Sequence, residues 1–417
     1  MTIHFSRRSF LAGAAGLAAA ASLSSCAAGA PAATNSALPR QFVWSTYGIG
    51  TGTYNDLAAV ANTLTSEVGI PVRLMTSDTG IGRLAPLING TADYARAGDE
   101  YYYAFEGNDE FASETWGPQR LRQVWTPPGN YGVLVREDSG IETVSDLEGR
   151  RYPRLTASTS MNRKLEAILN YGGLTGEDVV QVDISYSEQV EALRTGQLDA
   201  LYHNTVGSNI EELASQYPVR WLDLGGDDES RYSTWEELAP MVRPGEFTDG
   251  AGMEPGESAV NMQYTIPLTT LADRPADEVA QLIDYIDELF DHFKDVTPDA
   301  QNFHRDVVLL DPMVVPFHES SVAFFERIGR WTPDLQARQD ALLEREELMA
   351  DAWPSFLENN SDAEDLAQRW VDWKYENLPS LPSVDDVPDP MDEQNRRDSD
   401  DGQTDGDDDD AEQNGAG

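Results

Sequence analysis

Phe42-Val43-Trp44-Ser45-Thr46-Tyr47-Gly48-Ile49-Gly50-Thr51-Gly52-Thr53-Tyr54-Asn55 is the stretch on which the fold turns. A short β-type run, Phe42-Val43-Trp44, enters a loop of glycine and threonine, and a helical pattern follows over 54–68. The unit then repeats. Pro71–Met75 is strand-like, a second glycine loop follows, and Arg83–Asn89 has helical spacing. Strands that alternate with helices predict α/β architecture with mostly parallel sheets.

Beyond Pro127-Pro128-Gly129 the alternation continues with a different character. Strands are expected at 131–136, 179–184 and 198–203, and helices at 144–147, 163–169 and 187–195. Gly225–Ser258, rich in Gly, Pro, Asp and Glu, reads as an excursion. After it come a strand over 264–269, a long amphipathic helix over 276–294, and helices over 334–358 and 363–375. From Ser383 the chain is Asp-rich, almost without apolar residues, and is expected to be disordered.

The N-terminus states a compartment. Ser6-Arg7-Arg8-Ser9-Phe10-Leu11 is a twin-arginine signal, followed by an Ala-rich apolar run to Leu23. That run is too short for a spanning helix of about 20 residues. It ends at Leu23-Ser24-Ser25-Cys26, a lipobox whose cysteine, the only one in the chain, is the expected lipidation site. Two acyl chains, at about 0.8 kcal/mol per buried methylene, suffice for stable tethering. Residues 1–26 are thus read as the signal and 27–40, rich in Ala, Pro, Ser and Thr, as a flexible linker. The protein is expected on the outer face of the cytoplasmic membrane, held there by lipid alone.

The chain has 417 residues, with 73 acidic against 29 basic ones and a net charge of −44. The segment before Gln41 contributes +3 and the tail from Ser383 contributes −12, which leaves −35 on the body. Only three lysines occur, Lys164, Lys294 and Lys374. An acid-rich, lysine-poor surface fits a halophilic setting, because molar salt shortens the Debye length to about 3 Å and screens self-repulsion. Nucleic acid is a poor partner for this charge.

Five stretches, in order from Thr46 to Gly329, resemble the TAXI class of solute-binding proteins of tripartite ATP-independent (TRAP) transporters. They are Thr46–Asn55; Thr76–Leu84 with Leu87–Asp93; Asp138–Ile141 with Asp146–Arg151; Gly196–Leu201; and Val315–His318 with Phe324–Gly329. The resemblance implies a two-lobed periplasmic-binding-protein type II (Venus flytrap) fold, here with a C-terminal helical extension. The expected division is lobe 1 over 41–130 and 241–335, lobe 2 over 131–240, the extension over 336–382 and an acidic tail over 383–417. It further implies an extracytoplasmic receptor without cofactor. Such a receptor would capture a small organic acid or amino acid, glutamate-like or a 2-oxo-dicarboxylate, in the interlobe cleft. Delivery would be to TRAP membrane subunits, read as a fused sodium-coupled permease. One departure stands out: where the family has a Gly-Ser-Gly-Thr turn, this chain has Thr156-Ala157-Ser158-Thr159-Ser160-Met161.

The candidate ligand-binding residues lie in loops between a strand and a helix. They are Gly50, Thr51, Gly52, Thr53 and Tyr54; Thr79, Gly80, Gly82 and Arg83; Asp99; Ser158, Thr159 and Ser160; and Asn204. Backbone N–H groups at helix N-termini and hydroxyl donors suit a carboxylate. Arg83, like Arg163, is a candidate clamp for it, and Asp99 a candidate acceptor for an amine. The same threonines and serines are also good helix N-caps, which is the structural alternative for Thr53, Thr79 and Ser160. The sequence has no Gly-x-Ser-x-Gly elbow and no His-Glu-x-x-His, and its five histidines lack metal-ligand spacing, so neither catalysis nor a metal site is expected. A ligand-sensing surface lipoprotein is the alternative function; an extracellular hydrolase ranks below it.

Overall fold

The computed structural model describes residues 38–226, 229–360 and 363–384. The signal, Cys26, the linker up to residue 37 and the tail from residue 385 lie outside the described residues. The first segment runs β1 (Phe42–Thr46), α1 (Gly52–Thr63), β2 (Val72–Thr76), α2 (Gly80–Ile88), β3 (Tyr94–Ala95), α3 (Glu100–Glu106) and β4 (Leu121–Trp125). The second runs β5 (Pro128–Arg136), β6 (Arg151–Leu155), α4 (Thr159–Tyr171), β7 (Val180–Ile184), α5 (Gln189–Arg194), β8 (Ala200–Asn204), α6 (Ser208–Gln216), β9 (Val219–Trp221), α7 (Trp235–Leu238), β10 (Arg243–Phe247) and β11 (Ala259–Thr265). The chain then returns through β12 (Leu268–Leu271), α8 (Ala276–Glu288), α9 (Phe290–Phe293) and α10 (Glu319–Arg327), and ends in α11 (Pro333–Asn360) and α12 (Leu366–Asn377).

The first sheet has the order β2-β1-β3-β12-β4, parallel among β1, β2 and β3 and antiparallel where β12 meets β3 and β4. Phe42, Trp44 and Tyr94 pack edge to face or tilted within it, at centroid spacings of 5.7–6.3 Å. The second sheet, β10-β11-β5-β8 with β9 beside β5, is antiparallel throughout, and β6 pairs with β7 as a separate parallel ribbon. The expectation of mostly parallel sheets therefore fails in the second lobe. There the central strands β5, β8 and β11 are largely buried on both faces, and such runs read alike in either orientation.

Three further readings are corrected. The strand expected over 264–269 is two strands in different sheets, parted at Ile266-Pro267, where proline cannot continue a ladder. The excursion after Gly225 carries β10, which pairs with β11 as β11 pairs with β5, so the expected lobe boundary at residue 240 falls between strands of the second sheet. The helix expected over 276–294 breaks at Leu289. The two crossings between sheets, Thr126-Pro127 and Ile266-Pro267, run side by side, and the Thr265 hydroxyl donates to the Pro127 carbonyl at 2.9 Å. Two sheets joined by adjacent crossing strands form the two-lobed type II architecture, with the helical extension α11–α12 present.

The extension is tied to the first lobe through α3. The buried Glu106 carboxylate accepts two bonds from Arg345 of α11 (2.7 and 2.9 Å) and one from Lys374 of α12 (2.6 Å). Trp370 donates its indole N–H to the Glu106 carbonyl at 2.8 Å. Leu381 and Val384 still pack against the core, so packing continues past Ser383.

Candidate functional site

The lobes meet over a seam built from the loops that precede α1, α2, α4 and α6. At its mouth Gly52, the first residue of α1, lies against Val206, Asn204 and Asp299. A Cβ there would sit 3.0–3.3 Å from all three. Gly207 faces it at φ +136, and a side chain on it would strike the Gly52 nitrogen. Glycine at both places is what lets the two backbones approach. Asn204 donates to Asp299 at 3.1 Å, and Ser208 to the Gly50 carbonyl at 3.2 Å. A cavity of ≈ 220 Å³ opens here, lined among others by Gly52, Asn55, Ser208, Thr297 and Asp299.

Deeper in, four buried charges meet. Arg83 stacks over the Tyr47 ring at 3.9 Å and donates to the carbonyls of Ala97 (3.1 Å) and Ser77 (3.4 Å) and to Glu100 (3.2 Å). Glu100 also accepts from Ser160 (2.9 Å) and Ser158 (3.5 Å) of the opposite lobe. Lys164 of α4 pairs with Asp99 and lies 4.0 Å from the centroid of the Tyr264 ring. Tyr47 packs on Tyr186 across the seam at 5.6 Å, and Tyr131 stacks on Tyr264 at 4.3 Å.

These groups are out of water, and their proton affinities respond. Burial raises the Asp99 carboxyl, and Lys164 opposes the rise. Burial lowers the Lys164 ammonium, and Asp99 opposes the fall. At the mouth, burial and then the charge of Asp56 push Asp299 up to about 8. Asp56, raised to about 6 chiefly by burial, is paired with Arg96. Burial also takes His203, stacked on Tyr186, down to about 4.

Asp299 gives a pH prediction. Its folded value stands above the ordinary 3.8, so between about pH 4 and 8 the folded state holds a proton that the unfolded state has lost. Stability therefore falls as pH rises through that window and levels off above 8. His203 acts in the opposite sense, but only below about 6.5, so the two separate. Denaturant melts of wild type and Asp299→Asn from pH 6.5 to 9 should diverge. Wild type should lose up to about 1.4 kcal/mol per unit relative to the variant until about pH 8. Parallel curves would mean that Asp299 is already ionised.

The expected residues divide into three groups. Thr51 and Thr79 act as N-caps, accepting from the N–H of the half-buried Tyr54 (3.2 Å) and of Gly82 (3.1 Å). The cap of α1 is thus Thr51 rather than Thr53, whose hydroxyl meets that of Tyr131. Gly50, Gly52 and Asn204 line the mouth, and Gly80, Arg83, Asp99, Ser158 and Ser160 gather in the deep network. Ser158, not Ser160, is the N-cap residue of α4, and its side chain makes no cap bond. Thr159 turns instead to Glu110. Arg83 is engaged by two carbonyls and a carboxylate, and Arg163 by Asp109 at 2.9 and 2.5 Å, so neither guanidinium stands open as a clamp.

Sequence reasoning missed Glu100, Lys164, Asp299 and the tyrosines Tyr47, Tyr186, Tyr202 and Tyr264. One signal was available. In a chain that uses arginine for nearly every positive charge, two of its three lysines, Lys164 and Lys374, are buried in ion pairs.

None of the curated proteins matches the chain. Among solved structures, the alkanesulfonate-binding protein SsuA of Xanthomonas axonopodis pv. citri, bound to MOPS, aligns with 17% identity over 77% of this chain and 94% of its own, at a TM-score of 0.38. The aliphatic sulphonate-binding protein SsuA of Escherichia coli aligns at 15% over 84% and 95%, TM-score 0.38. The GluR0 ligand-binding core of Nostoc punctiforme, in complex with L-glutamate, aligns at 10% over 61% and 96%, TM-score 0.36. The model of the NMT1-like family matches residues 47–329, which hold the whole seam and every strand of both sheets except β1, and the chain belongs to that family.

Proposed function

We propose that this protein is an extracytoplasmic solute receptor, anchored by lipid at Cys26. In this reading it closes its two lobes over a small organic acid or amino acid and hands it to a TRAP-type sodium-coupled permease. The observation that carries the reading is the seam. Buried polar groups from both lobes converge beside a pair of adjacent crossing strands, which can act as a hinge. A binding site split between two lobes favours the closed form only by the contacts the solute makes with both. The candidate residues Gly50–Tyr54, Thr79–Arg83, Asp99, Ser158–Ser160 and Asn204 supply or border those contacts.

Calorimetry at molar salt with amino acids and di- and tricarboxylates tests the reading. At least one should bind with a Kd of about 1 μM or better, near −8 kcal/mol. Binding of sugars or metal cations alone would overturn it. Delivery is tested separately, by uptake into vesicles that carry the permease, a sodium gradient and the receptor; uptake that ignores the receptor would count against the TRAP assignment.

A further inference from the structure

Resting on that reading, we infer that the Glu100 carboxylate occupies the seat of the ligand's own carboxylate, so the chain closes on itself until a solute takes its place. The seat has the parts of an anion site. Arg83 comes from one lobe, and the Ser158 and Ser160 hydroxyls from the other. Gly80 opens α2 and Ser158–Ser160 open α4, so two helix N-termini face the same carboxylate. A Cβ on Gly80 would stand 2.2 Å from Glu100 Oε1, and one on Gly98 2.5 Å from Oε2, so the notch exists only because both residues are glycine.

The seat is imperfectly filled. Glu100 is fully buried, yet its Oε2 has no hydrogen-bond partner, and neither has Oδ1 of the neighbouring Asp99. A buried carboxylate oxygen without a donor is costly, and a free-moving ligand is not bound to the geometry of a side chain on α3. Charge points the same way. Arg83, Lys164, Asp99 and Glu100 sum to zero, so adding a solute carboxylate would leave an uncompensated charge in a dry seam. Exchanging Glu100 for a solute carboxylate keeps the sum at zero. When the lobes part, Ser158 and Ser160 leave with the second lobe, and Glu100 is free to turn towards solvent.

The test uses sodium acetate as probe, titrated against sodium chloride at constant molar ionic strength, with the thermal midpoint as readout. In Glu100→Ala the seat is empty, and acetate should act at concentrations at least tenfold lower than in wild type. In Glu100→Gln, which keeps the shape and removes the competing charge, acetate should also bind more tightly than in wild type. If alanine prevents folding, the glutamine variant decides alone. Acetate that acts no better on Glu100→Gln than on wild type would overturn the inference, since Glu100 would then be a partner of the ligand rather than its substitute. A wild type that binds no carboxylate, beside a variant that binds acetate, would keep the seat and overturn the receptor reading.

Discussion

Glu106→Ala is expected to cost about 3–5 kcal/mol, because it strands the buried Lys374 and the largely buried Arg345, whose side chain is only 16% exposed. Burial alone would raise the Glu106 carboxyl, but Lys374 and then Arg345 outweigh it and hold it at about 2. The linkage gives a similar size. A carboxyl that falls from 4.5 to about 2 on folding adds about 3 kcal/mol above pH 4.5, and that stability is lost as pH falls towards 2. The variant's denaturation midpoint should therefore drop sharply at pH 7, while the two proteins converge in acid. Limited proteolysis should cut first between α11 and α12, because both lose their anchor on α3. The triple replacement Glu106→Leu, Arg345→Met, Lys374→Met should recover most of the loss, since exchanging a whole buried ionic set for apolar groups is often neutral. A single variant as stable as wild type would show that the ion pairs add nothing net.

Salt should have the other large effect. With −35 on the body, like charges interact over about 10–30 Å once salt falls to tens of millimolar, against about 3 Å in molar salt. The melting midpoint should fall by more than about 10 °C over that range, on the order of 5 kcal/mol for a chain of this size. Truncation after Val384 removes −12 without touching the packed Leu381 and Val384. It should leave the salt-dependent midpoint nearly unchanged. A protein indifferent to salt would overturn the halophilic reading, and strong rescue by truncation would move the repulsion to the tail.

What the sequence determined by itself is local. Thr79 announces a helix start because a hydroxyl beside an N-terminus satisfies an orphan N–H whatever the distant chain does, while at α1 the same reading set the cap at Thr53, two residues past Thr51. Gly52 marks a close approach, and the β–loop–helix repeat from Phe42 onward sets the α/β class, because hydrophobic period and turn chemistry are properties of neighbours. What only the tertiary structure decided are pairings between distant residues. Glu100 reaches Ser160 and Lys164 reaches Asp99 across 60 and 65 positions, and Glu106 meets Lys374 across 268. In a chain with 73 acids, no local pattern marks which carboxylate goes dry. Burial picks out Asp99, Glu100, Glu106 and Asp299, together with Asp56, Glu278 and Glu346, and burial is a property of the closed seam and of the packed helices that surround it.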